Sequence, residues 1–315
     1  MATAVARERH RKETIERLGD MRRLVEQEIL PRLGWSGPFE LEPVPRGHNL
    51  VYFLDVADHP PLVLRAGARR WKFRRRIALH RFALRRGLPV PIVRVAVAPI
   101  LGRPPGGLFF SAEDRAPGVT LTETDDPIGA AAACGEALAR LHALRSPPRP
   151  VLLPDGHATT ASLMRWLSGR IEHRLEVMNR VDAELARQAR SWLAAFSPKD
   201  YRHAPRLCLS DVGRGNFVGD AGGMTLVDLV GLRMGSVPLE LARARYRLFT
   251  NRAPEVRAFR AAYDAAVGPE AAGELADLRV FAEVVYLLKH VYRAMAAGRD
   301  DMRERLQNLV ERDPR

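Results

Sequence analysis

Acidic residues are absent from a long stretch of this 315-residue chain: from His59 to Ala112 there is no Asp or Glu, against twelve Arg or Lys. Nearly all of the net charge of +13 arises there, because the flanking segments are close to neutral. Cysteine is scarce as well. Cys134 and Cys208 are far apart and lack CxxC spacing, which argues against a disulfide framework or a cysteine-based zinc site. Cys208, beside the loop at Asp211, reads as a small buried hydrophobe. No apolar run reaches about 18 residues, and the N-terminus has no apolar signal core, so a cytoplasmic protein without a membrane span is expected. No repeat of roughly 20–50 residues and no low-complexity tract is visible. What is present, 46% hydrophobic residues over 315 positions, is enough to build two lobes with real cores.

Three segments follow from periodicity and composition: a helical extension over 1–37, a strongly basic lobe over 38–112, and a mostly helical lobe over 113–315. In the first, Ile15, Leu18, Met21, Val25 and Ile29 line one side of a helix over 4–32, ended by Pro31. The second mixes short strands with one helix over about 69–86. That helix carries Arg69, Arg70, Lys72, Arg74, Arg75, Arg76, Arg81, Arg85 and Arg86, and its buried face is expected at Phe73, Ile77, His80 and Leu84. The third holds an Ala-rich helix over 128–145, helices over 160–196 and several more over 254–312.

The chemistry concentrates in Leu207-Cys-Leu-Ser-Asp211-Val-Gly-Arg-Gly-Asn216, followed by Leu226-Val-Asp228. Arg206 to Ser210 reads as a strand feeding a loop, and 216–228 as strand, Asp-Ala-Gly-Gly turn, strand. Asp211, Asn216 and Asp228 can then converge. A carboxylate that orients or deprotonates an acceptor hydroxyl, with an amide oxygen and a second carboxylate for Mg²⁺, is what phosphoryl transfer needs. Protein kinases carry these roles in the same chain order.

The chain resembles the aminoglycoside phosphotransferase/choline kinase-like family over residues 38 to 295. Leu209-Ser210-Asp211-Val212-Gly213-Arg214-Gly215-Asn216 occupies the place of its catalytic loop, His-Gly-Asp-Leu-His-Pro-Gly-Asn. Val227-Asp228-Leu229-Val230, Gly235-Ser236 and Glu240-Leu241-Ala242 follow its metal-binding segment. Upstream, Pro45-Arg-Gly47-His48-Asn49 resembles its turn over the phosphates. Pro61-Leu-Val-Leu-Arg65 resembles the strand bearing the phosphate-binding cation. Gly87-Leu-Pro-Val-Pro91 resembles its link to the next strand, and Leu108 to Gly118 its hinge. The 69 residues from His142 to Asp211 are mostly helical in pattern, as in the small-molecule kinases of this type. The resemblance implies a two-lobed protein-kinase-like α+β fold, with a small antiparallel sheet and one helix in the N-lobe and a mostly helical C-lobe. It implies ATP and Mg²⁺ as cofactors, Asp211 as base or orienter, and Asn216 and Asp228 as metal ligands. Arg65 with Gly47, His48 and Asn49 would hold phosphate. Backbone groups from Ser111, Ala112, Glu113 and Asp114 would take adenine.

Several positions depart from that pattern. Counting back from Gly87, the helix acid that pairs with the strand cation falls near Arg76. Arg65 therefore lacks its usual partner unless a carboxylate arrives from elsewhere; Glu113 and Asp114 are conceivable but more naturally serve the hinge. Leu209 stands where a His braces the loop and can only pack. Arg214 is a candidate to face the transferring phosphoryl group, with Arg233 a weaker one. His142 reads as a buried structural residue.

The expected function is ATP- and Mg²⁺-dependent phosphorylation of a small-molecule hydroxyl. A polycationic aminoglycoside needs clustered carboxylates, so a neutral or anionic acceptor fits the charge better. The alternative is a kinase-fold protein without catalysis that holds a nucleotide, nucleic acid or other polyanion through its basic lobe. A kinase of macromolecules, docked by its N-terminal helix, is a third reading.

Overall fold

Alternation explains the first sheet. In the strand Leu50–Val56 (β2), Tyr52, Leu54 and Val56 are buried while Asp55 is exposed, and in Leu62–Gly67 (β3), Leu62, Leu64 and Ala66 are buried on the same side. The computed structural model describes residues 21–44, 50–67, 70–97, 109–144, 159–195, 205–209, 211–296 and 300–311. These form two compact units, Met1–Pro117 and Gly118–Arg315.

In the first unit, β1 (Phe39–Pro43), β2, β3, β4 (Val93–Val97) and β5 (Phe109–Asp114) make one antiparallel sheet in the order β1-β2-β3-β5-β4. One face packs on the N-terminal helical segment, which runs through a π-helical stretch, Val25–Ile29, into α1 (Leu30–Leu33). Met21, Leu24, Val25, Ile29 and Leu30 share a core cluster with Tyr52, Leu54, Leu64, Phe110 and Ala112. The expected stripe thus caps this sheet, although Ile15 and Leu18 lie outside the described residues.

On the same unit lies α2 (Arg70–Arg85), beside β4 and β5. Its buried side chains are Arg75, Arg76, Ile77, Leu79, His80, Phe82 and Ala83, whereas Leu84 is 42% exposed. At about 100° per residue this face is rotated roughly a quarter turn from the expected Phe73–Ile77–His80–Leu84 stripe. The rotation brings Arg76, outside the expected buried face, to the inward side.

The second unit begins with a small antiparallel sheet, β6 (Val119–Thr120), β8 (Phe217–Asp220) and β9 (Gly223–Leu226), and a separate pair, β7 (Arg206–Leu209) with β10 (Leu232–Gly235). Helix α3 (Pro127–Ala143) starts on Asp126, whose carboxylate accepts the Gly129 N–H at 2.9 Å, with Pro127 at its first position. It packs closely on α7 (Ala253–Val267). A Cβ at Gly135 would lie 2.3 Å from the Phe259 carbonyl oxygen, so the close approach requires glycine there.

Helices α4 (Thr160–Asn179), α5 (Ala183–Ala195), α6 (Val237–Arg247), α9 (Arg279–Ala296) and α10 (Asp301–Val310) share a second core around Leu167, Met178, Trp192, Phe281 and Leu288. Between α7 and α9 comes α8 (Pro269–Asp277). A capping box, Thr159 with Ser162, starts α4. Among the described residues no helix is long and apolar enough to cross a membrane.

Candidate active site

The loop after β7 gathers the expected triple. Asn216 closes a 3-10 turn, Arg214–Asn216, and its Nδ2 donates to the Asp211 carbonyl at 2.8 Å. That bond fixes the amide so that its oxygen, Oδ1, is the atom left to meet a cation. The Asn216 carbonyl in turn accepts the Val227 N–H at 3.1 Å, and the β8–β9 register places Phe217 opposite Leu226. Asp228 therefore follows directly on the residue bonded to Asn216. Its Oδ1 accepts the Val230 N–H at 3.2 Å, a local turn that pins the carboxylate. An amide oxygen and a carboxylate are hard oxygen donors of the kind Mg²⁺ takes, so the residues present fit that ion.

Asp211 is exposed, and its Oδ1 accepts from Arg247 Nη1 at 2.6 Å. The cation beside the carboxylate is therefore Arg247, from the end of α6. Arg214 is directed elsewhere: its Nε donates to the Leu248 carbonyl at 2.5 Å and its Nη2 to Thr250 Oγ1 at 2.9 Å. Arg214, the arginine expected at the reacting groups, is thus engaged by Leu248 and Thr250. Nothing in the local sequence marks Arg247, which stands 36 positions after its partner.

The loop is braced from below. Glu240, 2% exposed on α6, accepts the Leu209 N–H at 2.9 and 3.0 Å through its two oxygens. His142 Nε2 lies 3.2 Å from Glu240 Oε2, and its Nδ1 lies 2.8 Å from the Tyr263 hydroxyl. The consistent proton arrangement is Nε2–H donating to the carboxylate and the phenol donating to Nδ1. Arg243 Nη1 donates to the Leu209 carbonyl at 3.2 Å. Leu209 itself is buried, so the missing loop histidine is replaced by bonds to the Leu209 backbone. Ser236, where the resembled family has Asp, caps α6 by accepting the Leu239 N–H at 3.4 Å. His142, Cys208 and Glu240 lie close enough to share a cation. The hydrogen bonds from Leu209 and His142 already engage the Glu240 carboxylate. Burial, then Glu240, pushes the Cys208 thiol well above its usual range, which keeps it inert.

In the first unit, Glu113 is the partner that Arg65 lacked. Its carboxylate is 1% exposed and accepts from Arg65 Nε at 2.6 Å and from Arg76 Nη2 at 2.5 and 2.7 Å. Arg65 and Glu113 lie diagonally on one face of the sheet, since Val63 pairs with Glu113 and Arg65 with Ser111. Burial would push the Glu113 carboxyl up; Arg65 and then Arg76 outweigh it and hold it below the usual range. His80, one turn on from Arg76, is pushed down mainly by burial. Arg and Glu have thus exchanged places: the helix carries the cation and the sheet the acid.

The run expected at adenine, Ser111 to Asp114, lies on β5. β5 lies between β3 and β4, so the backbone of Ser111 to Glu113 belongs to ladders on both sides, and the Asp114 N–H donates to the Ile92 carbonyl at 2.9 Å. The Glu113 side chain serves Arg65 and Arg76, and that of Asp114 pairs with Arg94 at 2.7 and 3.0 Å. Gly47, His48 and Asn49 lie outside the described residues.

An antiparallel five-stranded sheet with one helix, a mostly helical second unit and an Asp–Asn–Asp loop define a protein-kinase-like α+β protein. The profile of the APH phosphotransferase enzyme family matches residues 40–279, and the chain belongs to that family. Similar solved structures agree in fold. The apoenzyme of macrolide 2'-phosphotransferase MphH from Brachybacterium faecium is 16% identical with a TM-score of 0.56, over 91% of this chain and 98% of that one. A thermostable mutant of aminoglycoside phosphotransferase APH(4)-Ia, in ternary complex with AMP-PNP and hygromycin B, is 18% identical with a TM-score of 0.59, over 91% and 95%. A choline/ethanolamine kinase family protein from Mesorhizobium loti is 19% identical with a TM-score of 0.53, over 99% and 96%. No curated protein sequence matches the chain.

Proposed function

We propose that the chain is an ATP- and Mg²⁺-dependent phosphotransferase acting on a hydroxyl of a neutral or anionic small molecule. The observation that carries this reading is the linked geometry of Asp211, Asn216 and Asp228, tied through the Asn216 side chain and the Asn216–Val227 backbone bond. Asp211 orients the acceptor hydroxyl and takes its proton. Asn216 Oδ1 and the Asp228 carboxylate hold Mg²⁺, which when bound neutralises charge on the nucleotide phosphates. Arg65 meets phosphate, held in direction by Glu113, and two guanidiniums around one carboxylate leave the group cationic. Gly47, His48 and Asn49 serve the phosphates, on their sequence resemblance to the family's phosphate-binding segment, and the Asp114 end of β5 serves adenine. Nucleotide complexes of neighbours, such as AMP-PNP on APH(4)-Ia, support the choice of a nucleoside triphosphate.

Direct assay of phosphate transfer from ATP across cationic, neutral and anionic hydroxyl compounds tests the reading, alongside Asp211→Asn and Asp228→Asn. Transfer abolished by either substitution, with the fold retained, supports it. MgATP binding without transfer to any acceptor points instead to a nucleotide-binding protein without catalysis.

A further inference from the structure

Several arginines of the helical unit meet carboxylates. Arg190 pairs with Glu172, Arg303 with Asp182, Arg279 with Asp264, and both Arg245 and Arg305 with Glu283. A second group of cations gathers across three helices. Arg170 and Arg174 stand one turn apart on α4, Lys289 and Arg293 one turn apart on α9, and Arg243 lies on α6. Arg174 Nη1 donates to the Val285 carbonyl at 2.6 Å, one turn before Lys289, which brings the α4 pair against the α9 pair. Arg243, by its bond to the Leu209 carbonyl, ties the group to the loop that bears Asp211 two residues later.

Burial, then Arg243, Arg174, Arg293 and Arg170, pushes the Lys289 ammonium down, and burial, then Arg170 and Arg243, pushes Arg174 down to about 10. His290 is pushed down to about 4 by burial and then by Lys289, Arg293, Arg174 and Arg243. Like charges one turn apart on a helix oppose folding, so two such pairs facing each other lower stability. Trp166, within 5.7 Å of the Arg170 guanidinium, lines a recess at Leu209 with Arg233 and Arg243. The carboxylate of that recess, Glu240, is engaged by Leu209 and His142.

We propose that Arg170, Arg174, Arg243, Lys289 and Arg293 form the binding site for an anionic group, phosphate or carboxylate, on the hydroxyl acceptor, and so select an anionic small molecule. This rests on the phosphotransferase reading. In the step it serves, the acceptor oxygen forms a bond to the γ-phosphorus of ATP and the bond from that phosphorus to the bridging oxygen breaks. ADP leaves with the electron pair, and the hydroxyl proton passes to Asp211.

Calorimetric binding and phosphate-transfer assays on the full chain with glucose, glucosamine, glucuronate and glucose 6-phosphate test this. At least one anionic sugar is expected to bind and accept phosphate with kcat/KM at least about 10-fold above glucose, with glucosamine lowest. Paired Lys289→Gln and Arg293→Gln, both at exposed positions, should weaken anion binding by about 100-fold, one decade per charge-assisted contact, and leave MgATP affinity unchanged. Arg174→Gln should act in the same direction. Glucuronate and glucose 6-phosphate separate carboxylate from phosphate recognition. Equal or better use of glucosamine overturns the proposal while leaving the phosphotransferase reading intact. Failure of both anions to bind, or binding unchanged in the paired variant, overturns it as well. Anion binding without phosphate transfer to any of the four overturns the phosphotransferase reading and with it the acceptor role of the site.

Discussion

Replacing Glu113 by Gln removes the carboxylate that both Arg65 and Arg76 bond while keeping the side-chain shape. The two guanidiniums are 17% and 9% exposed and the carboxylate 1%, so solvent screens little of the interaction. Breaking a buried pair by removing one partner costs about 3–5 kcal/mol, since the remaining charge stays buried without compensation. Urea unfolding should show a loss of that size, or a fall in Tm of roughly 10 °C. A second substitution, Arg76→Gln, should add less than its own single cost, because Glu113→Gln has already removed the carboxylate that Arg76 bonds. The acid limb gives an independent reading. The Glu113 pKa is depressed in the folded state, so its contribution is complete above the ordinary value of about 4.5 and is lost as the pH falls through the lower folded value. Glu113→Gln should therefore lack that part of the acid destabilisation. Turnover should fall about 100-fold if Arg65 is displaced by about 1 Å. A loss of stability under about 1 kcal/mol, with an unchanged acid limb, would refute the assignment of Glu113 as the charge that holds Arg65.

Arg247→Gln should leave urea stability within about 1 kcal/mol, because its pair with Asp211 is exposed on both sides, yet lower kcat about 10-fold by freeing Asp211. Glu240→Ala strands the buried Leu209 N–H and His142 Nε2–H, at about 1–3 kcal/mol each, and should cost about 2–6 kcal/mol by urea unfolding. Both thiols are buried and pushed up, so Ellman's reagent should find neither Cys134 nor Cys208 in the native chain and both after denaturation. His290, folded value about 4 against 6.5 unfolded, stays neutral in the fold, so the unfolded chain takes its proton first and stability falls as pH drops from about 6.5 to 4. His290→Gln should flatten that slope in thermal unfolding followed across pH.

The sequence made the strands and the catalytic loop legible because they obey local rules. The alternating strands, the Asp-Ala-Gly-Gly turn and the Asp211–Asn216 spacing each bind residues a few positions apart. The N-terminal stripe, too, identified its own covered face at Met21, Val25 and Ile29. What stayed hidden depends on contacts between distant segments. Arg247 reaches Asp211 from the far end of a helix, and Glu240 reaches the Leu209 backbone across 31 positions. The cation group on α4, α6 and α9 was invisible for another reason: residues 113–315 are near neutral as a whole, and a sum over the segment conceals local clustering.

The exchange of Arg76 and Glu113 shows how a missing motif residue can mislead. The motif places an acid on the helix where Arg76 stands, so Arg65 needs a carboxylate from elsewhere in the fold, of which Glu113 and Asp114 are the conceivable ones. Position on the fold matters more than position in the motif. When a helix carries the acid, the strand cation is held only while that helix is docked. Here the acid sits on β5, hydrogen-bonded to β3, and Arg65 and Glu113 share one face of a continuous sheet. Their alignment is set by strand register, and α2 joins through Arg76 as a second donor. Displacing α2 would remove Arg76 but leave Arg65 paired, whereas disturbing the β3–β5 ladder would release both. A helix-disrupting change on the exposed side of α2, such as Arg81→Pro, should therefore reduce stability through the proline without abolishing the Arg65–Glu113 pair. The Glu113 carboxyl would still titrate below its usual range, read by carboxylate NMR, but closer to it than with both cations in place. A return to about 4.5 would show instead that the helix, and not the sheet, holds the pair together.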